Sequence, residues 1–166
     1  LCIVKHSNPC GTAQGNLSTT DLYDKALAAD PISAFGGIVV TNQKINEQVA
    51  EKLSKHFFEC IAAPSFEEDS LKILQKKKKL RLVKIFSFAS NNKSMEIKST
   101  FAGVLSQTPP APLVPETEWQ QVTTTKPNSK DLAELRFSMN VCKHLKSNAI
   151  AITKDGQTLG LGVGQM

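Results

Sequence analysis

Short apolar runs alternate with amphipathic stretches in the first half of the chain, and each predicts one element of secondary structure. Residues 1–5 are mostly apolar and predict a buried strand. Residues 18–29 predict a helix, because Ser18 and Asp21 have the spacing of a capping box and apolar residues recur along one face. A short apolar run at 38–41 follows a glycine pair and predicts the next strand.

The same alternation continues towards the middle of the chain. Asn46 is placed to cap a further helix, and Ser65 with Glu68 has the spacing of a second capping box. The pattern predicts helices at 46–57 and 65–75 and strands at 59–63 and 80–86. Strands that alternate with helices indicate an α/β fold whose mixed, mainly parallel central sheet carries helices on its faces.

Prolines separate this region from the rest of the chain. The stretch 108–115 contains four prolines, which is typical of a semi-rigid linker. We therefore predict a first α/β subdomain at 1–107, a linker at 108–127 and the start of a second subdomain at 128–166.

The second subdomain begins with a strongly periodic stretch. Residues 129–145 predict a helix, and Asp155 and Gly156 between two apolar runs predict a β-hairpin with strands at 149–153 and 158–161. The residues predicted to face inward from the helix are Leu132, Leu135, Met139 and Cys142.

Composition narrows the class of protein. The length of 166 residues fits one ordinary domain or two small ones. The net charge of the chain is +5. No apolar run approaches the roughly 20 residues of a membrane helix. The 4 cysteines are widely spaced and predict reduced cytosolic thiols rather than disulfides or a zinc site.

The excess of positive over negative charge is concentrated in one run, Lys76–Lys79. The run favours a solvated helix end or turn over an RNA-binding patch, because the aromatic residues do not alternate with basic ones. A non-catalytic basic module that binds nucleotides or RNA nevertheless stays open as the alternative to an enzyme.

The clearest candidate for chemistry is the adjacent pair Lys5 and His6, which ends the first predicted strand. An ammonium beside an imidazole can move protons near neutral pH, although such pairs are also common on ordinary surfaces. Asn148 offers a carboxamide that can orient a substrate or simply turn the chain after a helix. His56 and His144 fall on predicted helices and are interpreted as structural or exposed.

Five segments carry a resemblance to a known family, in order along nearly the whole chain. They resemble the formyltransferase part of the bifunctional purine-biosynthesis enzymes, which combine AICAR transformylase with IMP cyclohydrolase. The similarity loosens between 86 and 128. The matching segments are Val4–Gly11, Asp30–Gly37, Ile61–Pro64, Lys146–Ile150 and Gly160–Met166.

The resemblance implies formyl transfer from 10-formyltetrahydrofolate to the 5-amino group of AICAR, in the biosynthesis of IMP. Lys5 would stabilise the transition state and help to protonate the departing folate nitrogen, and His6 would act as the base. Asn148 would orient the formyl group and the amine, and Gly36 would contact the substrate through its backbone. Glu59 would accept hydrogen bonds from the substrate, where some relatives have Asp.

The resemblance also implies a wider setting. The expected fold is two cytidine-deaminase-like subdomains without zinc, in a cytoplasmic homodimer that binds AICAR and folate but neither nucleic acid nor membrane. Relatives bind potassium near this asparagine, but Leu145 and Ala149 replace hydroxyl residues, so no metal is assigned. The chain starts at Leu1 and stops at Met166 inside a glycine-rich run, so we expect a truncated fragment, inactive alone.

Overall fold

The computed structural model describes residues 1–88, 95–109 and 111–163. The chain forms two compact units, one of Leu1–Phe86 with Pro127–Met166 and one of Ser87–Lys126. These units divide the chain differently from the predicted segments 1–107, 108–127 and 128–166, which stay a prediction. Within the described residues, no helix is long and apolar enough to span a membrane.

A five-stranded mixed sheet organises the larger unit. Its strands are β1 (Cys2–Lys5), β2 (Asn8–Thr12), β3 (Gly37–Val40), β4 (Phe58–Ala63) and β5 (Arg81–Lys84), in the order β2-β1-β3-β4-β5. β1 pairs antiparallel with β2 and β3, whereas β3, β4 and β5 pair in parallel. Only β1 therefore runs against the other strands, and the prediction of an α/β fold with a mixed, mainly parallel sheet is confirmed.

Three helices connect these strands and bury apolar side chains against the sheet. They are α1 (Thr19–Ala29), α2 (Glu47–Ser54) and α3 (Glu68–Leu74). The core includes Ile3, Leu22, Val39, Val49, Ile61 and Leu74, all almost completely buried. Ser18 and Asn46 cap α1 and α2 as predicted, by accepting hydrogen bonds from backbone N–H groups.

The chain returns to this unit through α4 (Ser129–Cys142) and a hairpin of β8 (Ile150–Lys154) and β9 (Gln157–Gly162). A hydrogen-bonded seam joins β9 to the end of β2. The Thr12 N–H donates to the Thr158 hydroxyl oxygen at 2.9 Å, and that hydroxyl donates to the Thr12 carbonyl at 3.2 Å. The Gln14 N–H also donates to the Gly156 carbonyl at 2.7 Å. Thr158 is 0% exposed, so this seam is part of the core.

The smaller unit contains a second hairpin, β6 (Glu96–Thr100) with β7 (Gly103–Gln107), and a short 3-10 helix at Glu116–Glu118. Both strands are exposed along their whole length.

One strand was not predicted, and two local predictions were wrong. Residues Asn8–Thr12 form strand β2, where the sequence analysis predicted no element. The second capping box does not form, because α3 is preceded by Glu67 and has no side-chain cap. On α4 the buried residues are Phe137 and Val141, whereas Leu135 and Met139 are about half exposed at 48% and 50%.

We expect Thr158→Val to lower the free energy of unfolding by about 1–3 kcal/mol. Valine keeps the shape of the side chain but leaves the buried Thr12 N–H without an acceptor. Urea unfolding followed by circular dichroism measures the change.

The control for this variant is Thr124→Val at an exposed position, which should change stability by less than about 0.5 kcal/mol. Equal stability of Thr158→Val and the unaltered protein would show that the seam does not hold the hairpin.

Candidate active site

The turn between β1 and β2 places the predicted catalytic pair. The strands are joined by the two residues His6 and Ser7, and the pairing of Lys5 with Asn8 closes the turn. His6 and Ser7 have φ of 51° and 67°, in the left-handed region that suits a two-residue hairpin but that these residue types rarely adopt. Backbone held in this region is found most often at functional sites.

The Lys5 ammonium is held beside the end of strand β1. It donates a hydrogen bond to the Phe35 carbonyl, because β1 runs antiparallel to β3 and its end meets the start of that strand. A Cβ atom added to Gly36 would lie 3.8 Å from Lys5 Nζ, so the two residues are neighbours. Gly36 has φ of 71° and donates its N–H to the Phe57 carbonyl at 2.8 Å. The family resemblance assigned Gly36 and Lys5 to one site, and whether both act there stays a prediction.

Lys5 and His6 line a cleft of about 580 Å³. This volume is within the range of roughly 300–1,000 Å³ that small-molecule sites occupy. The other lining residues come from distant parts of the chain; they are Asn8, Pro9, Cys10, Ala29, Asp30, Ser33, Lys146, Gly160, Leu161 and Val163. The cleft therefore joins four of the five segments that carry the family resemblance.

Asn8 connects two sides of this cleft. Its Oδ1 atom accepts a hydrogen bond from the Lys146 N–H at 3.2 Å, and its Nδ2 atom donates to the His6 carbonyl at 3.4 Å. One carboxamide thus links the turn of His6 and Ser7 to the segment that carries Asn148. The sequence analysis did not identify Asn8, although its place directly after the Lys-His-Ser sequence was a signal.

The remaining predicted residues lie outside the cleft lining. Asn148 is exposed and is two residues from Lys146, which does line the cleft. Glu59 is on β4, and its Oε2 atom forms an ion pair with Arg81 Nη1 at 2.9 Å. The structure therefore brings Gly36 close to Lys5 and His6, and the functional roles of all five residues stay predictions.

Cys10 lines the cleft but is a poor nucleophile. Burial raises the pKa of its thiol to about 11, and the nearby Cys2 adds to the increase. Because the thiolate is the reactive form, Cys10 stays protonated and unreactive at neutral pH.

Metal ligands are not grouped in the described ranges 1–88, 95–109 and 111–163, where no set of three or more His, Cys, Asp or Glu side chains is placed to hold an ion. The Leu145 side chain is buried and apolar, and Ala149 ends in a methyl group, so neither side chain offers oxygen to potassium.

The sheet, its helices and the cleft define an α/β protein with a candidate small-molecule site beside the β1–β2 turn. The sequence profile of the AICARFT/IMPCHase bienzyme family matches residues 1–166. The chain belongs to this family.

Curated relatives agree with the profile. The chain is 46% identical over 166 residues to the bifunctional purine biosynthesis protein PurH of Acaryochloris marina, covering 100% of the chain and 31% of that protein. It is 46% identical over 164 residues to PurH of Nostoc punctiforme, and 45% identical over 168 residues to PurH of Desulfitobacterium hafniense. Each of these two matches covers 99% of the chain and 32% of the relative. The chain thus spans about a third of the length of these relatives.

We expect Asn8→Ala to speed hydrogen exchange at the Lys146 amide about two- to tenfold, the change that loss of one hydrogen bond produces. Hydrogen exchange followed by NMR measures it. Asn42→Ala removes a carboxamide at an exposed position and should leave that amide unchanged. Equal exchange in the Asn8 variant would mean that the carboxamide does not hold the segment.

Cys10 should react with iodoacetamide at pH 8.5 at least about tenfold more slowly than the same cysteine in a short peptide of residues 8–13. Its raised pKa leaves less thiolate at every pH below about 11, so the rate should climb steeply as the pH approaches that value. Mass spectrometry of the labelled tryptic peptide gives both rates. Similar rates in the protein and the peptide would contradict the buried thiol.

Proposed function

We propose that the protein containing this chain transfers a formyl group from 10-formyltetrahydrofolate to the 5-amino group of AICAR, a step of purine biosynthesis. The observation that carries the proposal is the cleft where Lys5 and His6 meet the segments that include Lys146 and Gly160. Membership of the AICARFT/IMPCHase family supports the same reaction.

The reaction sets two requirements for the site. The AICAR amine is a poor nucleophile, because its lone pair is conjugated with the imidazole ring. When it attacks the formyl carbon, the carbonyl electrons move to oxygen and a tetrahedral intermediate forms. The intermediate collapses by breaking the bond to the folate nitrogen. A base must therefore take a proton from the amine, and an acid must give one to the departing nitrogen.

His6 fits the role of base. Its imidazole is exposed to the cleft at the tip of a short turn, where a bound substrate can reach it. We propose that His6 takes the amine proton through the neighbouring carboxamide of AICAR as the attack proceeds. General-base catalysis of this kind contributes roughly 10²–10⁴-fold in rate.

Lys5 fits the role of electrostatic stabiliser and acid. Its hydrogen bond to the Phe35 carbonyl fixes the ammonium before substrate arrives, so little reorganisation is needed during the reaction. An ammonium in this position stabilises negative charge on the formyl oxygen and can pass a proton towards the folate nitrogen. The bond to Phe35 uses one of its three N–H donors, which leaves two for substrate.

Three further residues complete the proposed site. Asn148 orients the formyl group and the amine, and the Gly36 backbone contacts AICAR. The Glu59 carboxylate accepts hydrogen bonds from AICAR with the oxygen that does not face Arg81, so the ion pair with Arg81 fixes its direction. No step of this mechanism uses a potassium ion.

The proposal extends to the complete protein. We propose a cytoplasmic homodimer that joins this transformylase to an IMP cyclohydrolase, with cytidine-deaminase-like subdomains around the sheet described above. Residues outside this chain would then complete the folate and phosphate contacts.

We expect Lys5→Ala and His6→Ala, each in the full-length protein, to lower kcat for formyl transfer by about 10²–10⁴-fold. Each variant removes a group that acts mainly in the transition state, so KM for AICAR should change much less. Steady-state assays that follow the release of tetrahydrofolate measure both constants.

The matched controls are Lys98→Ala and His144→Ala, which remove the same side chains at exposed positions outside the cleft. Both control variants should have the same kcat for formyl transfer as the unaltered protein. Near-normal kcat in either of the first two variants would exclude the proposed roles.

A further inference from the structure

A second cavity, of about 510 Å³, lies beside the turn that follows α3. We call it the basic pocket. Its lining includes the whole run Lys76–Lys79 together with Lys55 and His56, but no aspartate or glutamate. Five lysines and one histidine therefore line one opening.

None of the lysines of the basic pocket forms an ion pair with a residue that the structure describes. In the described part of the chain, the ion pairs of lysine are formed by Lys44, Lys52, Lys72 and Lys130, none of which lines this pocket. The turn is fixed by its backbone, since the Lys77 N–H donates to Leu74 and the Leu80 N–H donates to Lys77. Several like charges on a fixed turn repel one another, so an anion at this position would relieve that repulsion.

Aromatic rings form another part of the lining. Phe35 and Phe57 lie with ring centroids 5.2 Å apart and are 64% and 39% exposed. Exposed phenyl rings in a cavity provide a stacking surface for a flat ligand. The basic pocket thus combines a surface for a ring with a surface for several negative charges.

We propose that the basic pocket binds a nucleoside triphosphate, with its base against Phe35 and Phe57 and its phosphates among Lys76–Lys79. The volume suits a ligand of this size, and the paired surfaces match its two chemical parts. The lining of this pocket shares no residue with that of the cleft of Lys5 and His6, and the proposal does not depend on the proposed formyl transfer.

The basic pocket also borders the candidate active site through the backbone. Phe35 contributes the carbonyl that binds the Lys5 ammonium, and Phe57 contributes the carbonyl that binds the Gly36 N–H. A base stacked on these rings would rest on the residues that hold Lys5 and Gly36. Occupancy of the pocket is therefore positioned to influence the cleft.

Isothermal titration calorimetry of the full-length protein tests the binding, with ATP, inorganic tripolyphosphate and adenosine as separate probes. ATP should bind at one site at least tenfold more tightly than tripolyphosphate, which has the charge without the ring, or adenosine, which has the ring without the charge. ATP affinity should fall as the salt concentration rises, because exposed charges are screened.

Two sets of variants locate the site. The affinity for ATP should fall at least tenfold in the variant Lys77→Gln/Lys78→Gln/Lys79→Gln. The control variant Lys98→Gln/Lys126→Gln/Lys154→Gln loses the same charge at exposed positions and should bind ATP as tightly as the unaltered protein. Phe57→Leu should lower the affinity for ATP more than the affinity for tripolyphosphate. This variant retains the backbone carbonyl that accepts the hydrogen bond from the Gly36 N–H. Circular dichroism confirms that each variant is folded.

The proposal is overturned by any of three results. They are the absence of saturable ATP binding, equal weakening by both lysine variants, and tripolyphosphate binding as tight as that of ATP, which would mark a general anion patch. Each result is obtained without an activity assay, so failure here is distinguishable from failure of formyl transfer.

Discussion

The buried hydroxyl of Thr158 is the interaction on which the candidate active site depends. It bonds to both backbone groups of Thr12, across 146 positions of sequence, and thereby attaches the hairpin of β8 and β9 to the first hairpin of the chain. Gly160 and Leu161 follow Thr158 on the same strand and line the cleft together with Lys5. The cost of leaving a buried N–H without an acceptor makes the attachment specific as well as stable.

The pairing of strands then determines where the reactive groups lie. Because β1 is antiparallel to β3, the end of one meets the beginning of the other, and Lys5 comes to rest against Phe35 and Gly36. The two-residue turn after Lys5 leaves His6 at the tip, with a left-handed backbone conformation between the paired strands. Asn8 adds a tether to the segment after α4. Position in the sheet, rather than proximity in sequence, therefore assembles the cleft.

Sequence patterns predicted most of the helices and strands of this fold but missed strand β2. The periodic stretches gave the helices capped by Ser18 and Asn46, because local propensity and capping decide such elements. Strand β2 was missed, since Asn8–Thr12 includes proline and glycine and reads as a loop. In the fold it is an edge strand, where proline is tolerated because one side needs no ladder bond.

The site was predictable only in part, for the same physical reason. Adjacent groups such as Lys5 and His6 are visible in the sequence, but the pairing of Glu59 with Arg81 follows from neighbouring parallel strands. The bridge from Asn8 to Lys146 spans 138 positions and has no local signal. The family resemblance grouped Lys5 with Gly36, which periodicity alone could not do.

Two groups of positively charged residues lie near the place where the end of β1 meets the start of β3. Phe35 and Gly36 separate two cationic regions, the cleft of Lys5 on one side and the lysine run on the other. Lys5 is a single ammonium fixed by a carbonyl, so it can act on one developing charge with little reorganisation. The lysines of the run are exposed and long, which suits screened attraction to a multiply charged ligand rather than catalysis. The proposed sites can thus share one residue, because the carbonyl of Phe35 binds the Lys5 ammonium and its phenyl ring lines the basic pocket.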